Sequence, residues 1–125
     1  MDALAVRPNL RLAYTALTAL LVGAVVLETV KHGFHWQLPV FAMGSDLALL
    51  FGAGRGLERG QLHPRAVPLY NAVHRFWGPV ALAIAAVAAD LSVGWFIAAV
   101  AWAIHVALDR TVGYGLRTPD GFQRA

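Results

Sequence analysis

Four ionisable side chains interrupt strongly apolar stretches of this sequence: Asp46, His74, His105 and Asp109. A carboxylate at the centre of a membrane costs ~2.5–3.5 kcal/mol on insertion scales, so such residues are candidates for function. Two imidazoles and two carboxylates form a ligand set that suits Zn²⁺ or Fe²⁺. A cation held by three of them leaves a position for water, which is the arrangement of hydrolytic metal sites.

The spacing of these residues predicts that they meet. His105 and Asp109 are four residues apart and share one face of a helix. Asn71 lies three residues before His74 on the preceding helix and shares its face, with Tyr70 beside it. The predicted roles are metal ligation by His74, His105, Asp109 and Asp46, and catalysis by Asp46 and Asp109. Tyr70 and Asn71 are predicted to support cofactor binding by orienting a ligand.

Other interpretations of the same residues stay open. The histidines could form hydrogen bonds between helices that only hold the helices together. Asp109 could pair with Arg75 or Arg110, and Asp46 with Arg75. One histidine per helix, without HxxH or HExxH spacing, does not by itself specify a metal. The alternatives to a metal-assisted hydrolase are therefore a binding or transport module for an ion, a proton or a small ligand, and a structural partner subunit.

The composition is that of an integral membrane protein. The 125 residues fit one domain, 58% of them are hydrophobic and 14% are charged, and the mean hydropathy is +0.59. A soluble domain of this size needs more polar surface. Cysteine is absent, which excludes disulfides, thiolate nucleophiles and cysteine metal sites. The pI of about 10.0 does not indicate nucleic acid as a partner, because the arginines are spread among loops.

Four apolar segments predict four membrane-crossing helices, at about 10–30, 38–53, 67–90 and 94–110. A helix of ~20 residues crosses a bilayer. The first segment is long for a secretory signal and lacks a small-residue cleavage site, so we expect it to be retained. We therefore predict an all-α, four-helix transmembrane bundle that occupies residues 1–125 as a single domain.

The basic residues predict the orientation of this bundle. Lys31 lies on one side of the predicted membrane, and the other nine lie on the opposite side: Arg7, Arg11, Arg55, Arg59, Arg65, Arg75, Arg110, Arg117 and Arg124. The positive-inside rule then places both termini and the middle loop in the cytoplasm. We expect a multi-pass protein of the bacterial inner membrane whose partners are membrane lipids, with homo-oligomers left open.

Counted from the cytoplasmic side, the polar residues reach similar depths. With ~1.5 Å of rise per residue, Asp46 and His74 lie roughly 10 Å from the cytoplasmic ends of their helices, and His105 roughly 8 Å. Asp109 and Asn71 are one turn nearer the cytoplasm. This agreement among three helices predicts one shared polar site that opens toward the cytoplasm.

The segment from His105 to Arg117 resembles the signature of a family of small bacterial membrane proteins, the domain of unknown function numbered 4260. That signature is His-x-x-x-Asp-Arg-x-x-Gly-Tyr-Gly-Leu-Lys/Arg. The Tyr-Asn-x-x-His motif that ends at His74 is similar to the second motif of the family, and Asp46 is similar to its helix-two aspartate. The resemblance implies a four-helix architecture, and it brings no established activity.

This chain departs from the family pattern at two positions near the predicted site. Ala13 follows Leu-Arg-Leu where the family usually has Glu, and Ser45 precedes Asp46 where the family usually has Pro. The middle loop, residues 52–64, is also longer than usual. If the missing Glu normally contributes to the site, the site of this member is altered.

Overall fold

The computed structural model describes residues 7–123, and their regular secondary structure is helical apart from one isolated backbone bridge between Arg117 and Gln123. The prediction of an all-α chain is thus confirmed. The 3₁₀ turns Gly44–Asp46 and Pro64–Ala66 precede α3 and α4. The helices are α1 (Pro8–His32), α2 (Gln37–Met43), α3 (Leu47–Phe51), α4 (Val67–Val73), α5 (Trp77–Ala88) and α6 (Val93–Thr111).

Helix α6 is the central element, and α1, α2 and α5 pack around it. Its small residues Ala98, Ala99 and Ala101 are almost completely buried, which lets the neighbouring backbones approach closely. Ile97 of α6 packs with Val25 of α1 in an apolar core. The helix that carries His105 and Asp109 is therefore held firmly by its neighbours.

Two helices are long and apolar enough to cross a membrane, α1 from Asn9 onward and α6. Large apolar side chains of α1, among them Leu12, Leu20 and Val30, are exposed. Such an extended apolar surface is unfavourable in water and favours contact with lipid. The helical stretches Gln37–Phe51 and Trp77–Ala88 are apolar but shorter. A bundle of four membrane-crossing helices therefore stays a prediction.

The structure corrects the predicted third helix, because the segment 67–90 is broken after Val73. Pro79 has no N–H to donate to the carbonyl of Arg75, and its ring disfavours a continuous helix at that carbonyl. The first hydrogen bond of α5 runs instead from the Val80 N–H to the carbonyl of Phe76, at 3.0 Å. The sequence contains the cause of this break, and the prediction of a single helix underestimated it.

The predicted second helix is also interrupted, at the 3₁₀ turn Gly44–Asp46. A 3₁₀ stretch inside a helix often marks a functional hinge or a strained sequence. Asp46 lies in this turn, and His74 lies in the break that follows α4. Two of the predicted site residues thus occupy the two irregular points of the helical framework.

The chain after α6 folds back over α4 and the middle loop. The Leu62 N–H donates to the carbonyl of Gly121 at 2.9 Å, and the side-chain amide of Asn71 exchanges two hydrogen bonds with the backbone of Arg117. Gly121 has a φ of +102°, and a Cβ there would lie 1.8 Å from the Leu62 oxygen. Only glycine permits this contact. Arg124 lies outside the described residues.

Candidate metal centre

The four predicted ligands come together at one point, although three separate elements carry them. His105 Nε2 lies 3.2 Å from Asp46 Oδ1 and 3.5 Å from Asp109 Oδ2. His74 Nε2 lies 3.4 Å and 3.6 Å from the same two oxygens. Asp46, His74 and His105 each offer a donor atom within 4.8 Å of the other two. Each imidazole therefore faces both carboxylates through its Nε2 atom.

The second nitrogen of each imidazole is committed to the backbone. His74 Nδ1 lies 2.8 Å from the carbonyl oxygen of Tyr70, and His105 Nδ1 lies 2.7 Å from that of Ala42. A carbonyl oxygen only accepts hydrogen bonds, so each Nδ1 carries the proton. A neutral ring then has its lone pair on Nε2. This is the arrangement of metal-binding histidines, in which a carbonyl fixes the tautomer and the orientation of the ring.

The distances between the donors fit a shared cation. Ligand atoms in a tetrahedral shell with bonds of ~2.0–2.2 Å are about 3.3–3.6 Å apart. The four N–O distances are 3.2–3.6 Å, close to that separation, while the donor atoms of Asp46, His74 and His105 as a group lie within 4.8 Å of one another. Charge-assisted hydrogen bonds are shorter, ~2.7–2.9 Å. The His74–Asp46 contact has the alignment of a long hydrogen bond, whereas His105 Nε2 is buried without a hydrogen-bond partner. A buried Nε2 atom without a partner fits a bound cation.

The centre has a buried side and an open side. The side chains of His74 and His105 are only 2% and 9% exposed, while those of Asp46 and Asp109 are 38% and 26% exposed. Within residues 7–123, the charged-group contacts of both carboxylates are with these histidines and not with a lysine or arginine. Two carboxylates beside neutral rings leave negative charge that a divalent cation would compensate. A ligand could approach from the carboxylate side.

Arg110 supports His74 in a way that the sequence did not indicate. The alternative interpretation pairs this arginine with Asp109. In the structure its Nη2 atom donates to the carbonyl oxygen of His74, at 2.7 Å. That carbonyl has no helical partner because the helix breaks there. The signal that could have revealed this role is Pro79, since a break inside an apolar segment leaves carbonyl groups that need a donor.

Tyr70 and Asn71 lie next to the centre but differ in their contacts. The ring of Tyr70 stacks on that of His74, with 3.9 Å between the ring centroids, and its carbonyl holds His74 Nδ1. Asn71 instead binds the backbone of Arg117, whose guanidinium lies 4.8 Å from the centroid of the Tyr70 ring. Gln123 Nε2 donates to the hydroxyl of Tyr70 at 3.0 Å. The C-terminal segment thus braces the residue that orients His74.

The residues of this centre are those on which the family resemblance rests. The chain matches the family described as a domain of unknown function over residues 10–125, which is nearly its whole length. It belongs to the DUF4260 family. No curated protein and no solved structure matches this DUF4260 chain. Any activity of this DUF4260 protein must therefore be argued from the site.

Proposed function

We propose that this protein is a metal-dependent hydrolase of the bacterial inner membrane that acts on a lipid or another membrane-embedded substrate. One observation carries the proposal: both histidines donate through Nδ1 to backbone carbonyls, so both Nε2 lone pairs point at the same two carboxylates. Zn²⁺ or Fe²⁺ suits such a mixed imidazole and carboxylate set.

The arrangement of the helices supports a multi-pass membrane protein with both termini in the cytoplasm. Arg11 Nε donates to the carbonyl oxygen of Thr111 at 3.0 Å, so α1 begins beside the end of α6. An even number of crossings brings the two ends of a bundle together in this way. Irregular backbone at membrane depth is tolerated where it lines a protein site, which is the situation of Asp46 and His74.

The geometry suggests a division of roles among the four side chains. Asp46, His74 and His105 form the mutually close trio, so we assign them as ligands. Asp109 is half-buried beside both rings and is placed to accept a proton from an attacking water. A bound cation would supply Lewis-acid chemistry at the substrate. The alternative exchanges the two carboxylates, with Asp109 as a ligand and Asp46 as the base.

The first prediction is that His105→Asn removes the metal and leaves the fold intact. The asparagine amide reaches the position of Nδ1 and still donates to the Ala42 carbonyl, but it has no group at Nε2. We expect stoichiometric metal in the purified wild-type protein and at least about a tenfold loss of affinity in the variant. Thermal unfolding of the two metal-free proteins should differ little, because bound metal by itself stabilises the folded state. Elemental analysis and chelator competition measure the affinity.

His32→Asn is the matched control for this experiment. His32 also pairs with a carboxylate four residues away, Glu28 at 3.4 Å, but it is exposed at the end of α1. The control should keep the metal. A wild-type protein without metal, or a His105→Asn variant that binds it normally, would contradict the proposal.

Hydrolysis itself needs a separate assay, because metal binding does not prove catalysis. Product release from vesicles of total bacterial lipid should require both the metal and Asp109. Proton or ion flux that depends on Asp46, in a protein without metal, would favour the transport alternative. A structural subunit would show no product release and no flux, and its substitutions would act through stability.

A further inference from the structure

An apolar groove of about 250 Å³ lies beside the centre. Its volume is below the ~300–1,000 Å³ of pockets for drug-sized ligands, so it suits a single chain and not a whole two-chain lipid. One of its residues carries a hydroxyl, and the others are apolar. The groove is lined by Val40, Phe41, Gly44, Ser45, Val73 and Trp102.

The residues that line the groove are neighbours, in the chain, of those that form the centre. Ser45 precedes Asp46 in the chain, Val73 precedes His74, and Trp102 lies one turn before His105. Along the chain the lining runs from Ser45, next to Asp46, back to Val40, over about 8 Å at ~1.5 Å per residue. In the proposed orientation this direction leads from the centre toward the middle of the membrane. A lipid chain would therefore lie in the groove with its polar end at the centre.

The wall formed by Trp102 is fixed in place. Its Nε1 atom donates to the carbonyl oxygen of Val73 at 2.8 Å. Its ring lies so close to Gly78 that a Cβ there would be 2.4 Å away. The hydrogen bond and the close packing hold the indole against the groove, which therefore exists before any ligand binds.

Ser45 provides the observation that points to a ligand. The residue is 8% exposed, and its hydroxyl is buried with no hydrogen-bond partner among the described residues. Hydroxyl groups in helices normally donate to the carbonyl four residues earlier. Four helical threonines of this protein do so: Thr15, Thr18, Thr29 and Thr111. A buried donor without a partner is costly, and a ligand oxygen would satisfy it.

We propose that this groove is an acyl-chain site and that the substrate is a single-chain lipid with a carbonyl group at the head of its chain. The chain lies along Val40, Phe41 and Trp102, and the carbonyl oxygen accepts a hydrogen bond from Ser45 beside the centre. This proposal rests on the proposed function and names its substrate class. A second groove, which includes Leu21, Phe96 and Val100, has no polar side chain and is a surface for ordinary lipid contact.

The test uses a tetradecanoic acid analogue with a diazirine at mid-chain, added to the full-length protein in phospholipid nanodiscs. After photolysis, peptide mapping should show labelling of Val40, Phe41 or Val73 that unlabelled tetradecanoic acid competes away. Gly44→Leu should reduce this labelling by about tenfold. A Cβ at Gly44 meets nothing within 4 Å, so leucine fills the groove without strain in the backbone.

Gly23→Leu is the matched control, since a Cβ at Gly23 on α1 also meets nothing within 4 Å. It should leave the groove labelling unchanged. Ser45→Ala should lower the labelling by roughly two- to tenfold, the range of one hydrogen bond. Labelling that is spread evenly over α1 and α5, or that Gly44→Leu does not change, would overturn the acyl-chain site.

Metal content, measured on the same samples, separates the two proposals. Metal without labelling of the groove would refute the acyl-chain site and leave the metal centre standing. Labelling of the groove without metal would refute the metal-dependent hydrolase and leave a lipid-binding groove. Gly44→Leu should keep the metal, because residue 44 offers no ligand atom to the centre.

Discussion

The protonation of the two imidazoles decides what the centre can do. If the Nδ1 atoms of His74 and His105 did not donate to carbonyls, Nε2 could carry the proton and the four side chains could form a closed hydrogen-bonded cluster. The carbonyls of Tyr70 and Ala42 exclude that arrangement for the neutral rings. In a closed hydrogen-bonded cluster the same residue types would only link the helices, whereas here each imidazole leaves an Nε2 lone pair for a cation.

Ser45 allows a prediction that separates function from stability. Ser45→Ala removes a buried hydroxyl without a partner, so the free energy of unfolding in the absence of fatty acid should rise by about 1 kcal/mol. The midpoint of thermal unfolding, measured in detergent, checks this. Thr29→Val is the control, because its hydroxyl already donates to the Val25 carbonyl and its removal should bring no gain. A less stable Ser45→Ala protein would show that the hydroxyl has a structural role.

At the scale of elements, the two interruptions of the helices create the site. The turn Gly44–Asp46 and the break between α4 and α5 turn Asp46 and His74 toward α6. Arg110 stabilises the break between α4 and α5, because its guanidinium donates a hydrogen bond to the carbonyl oxygen of His74. Straight helices could bring these residues to the same depth but would not free the same backbone groups.

Pro79→Ala tests whether the break positions His74. Proline inside a helix costs ~3 kcal/mol or more, so its removal favours a continuous helix through residues 74–76. We expect the metal affinity to fall by about tenfold while the helical content by circular dichroism rises. Pro39→Ala is the control, since Pro39 is the third residue of α2 as Pro79 is of α5. Unchanged affinity together with increased helicity would show that the break does not set the position of His74.

At the scale of the whole molecule, the exposed apolar surface and the asymmetric charge both favour the proposed location in a membrane. Helix α1 packs on α6 and still exposes a large apolar face. Lys31 is the one basic residue predicted on the outer side. The centre would then lie below the cytoplasmic surface, where a lipid from the inner leaflet could reach it.

The absence of cysteine makes this topology simple to test. Lys31→Cys and Arg59→Cys each replace an exposed basic residue, on opposite sides of the predicted membrane. A membrane-impermeant maleimide should label Lys31→Cys in intact cells, and Arg59→Cys only after permeabilisation. The reverse result would invert the orientation, and equal labelling of both in intact cells would refute a membrane-spanning arrangement between them.

The sequence by itself determined the all-α class and the candidate residues. The i, i+4 spacing of His105 and Asp109 depends only on helix geometry, and the similar depths of Asp46 and His74 follow from the lengths of the segments. These features are local, so they can be worked out from the chain without knowledge of its packing. Pro79 also belonged to this local information, although one proline was not enough to predict where the helix would end.

The tertiary structure alone decided which atoms face each other. The structure shows the partner of His105 Nδ1, the hydrogen bond from Arg110 to His74, and the lack of a partner for Ser45 among the described residues. The residues involved are distant in sequence or lie where the backbone is irregular. Every residue has a backbone carbonyl, so no sequence motif identifies the particular carbonyls that accept these hydrogen bonds. The candidate ligands could thus be named from the sequence. The tautomer of His74 depends on a carbonyl only four residues earlier, whereas that of His105 depends on the carbonyl of Ala42 and required the packed helices.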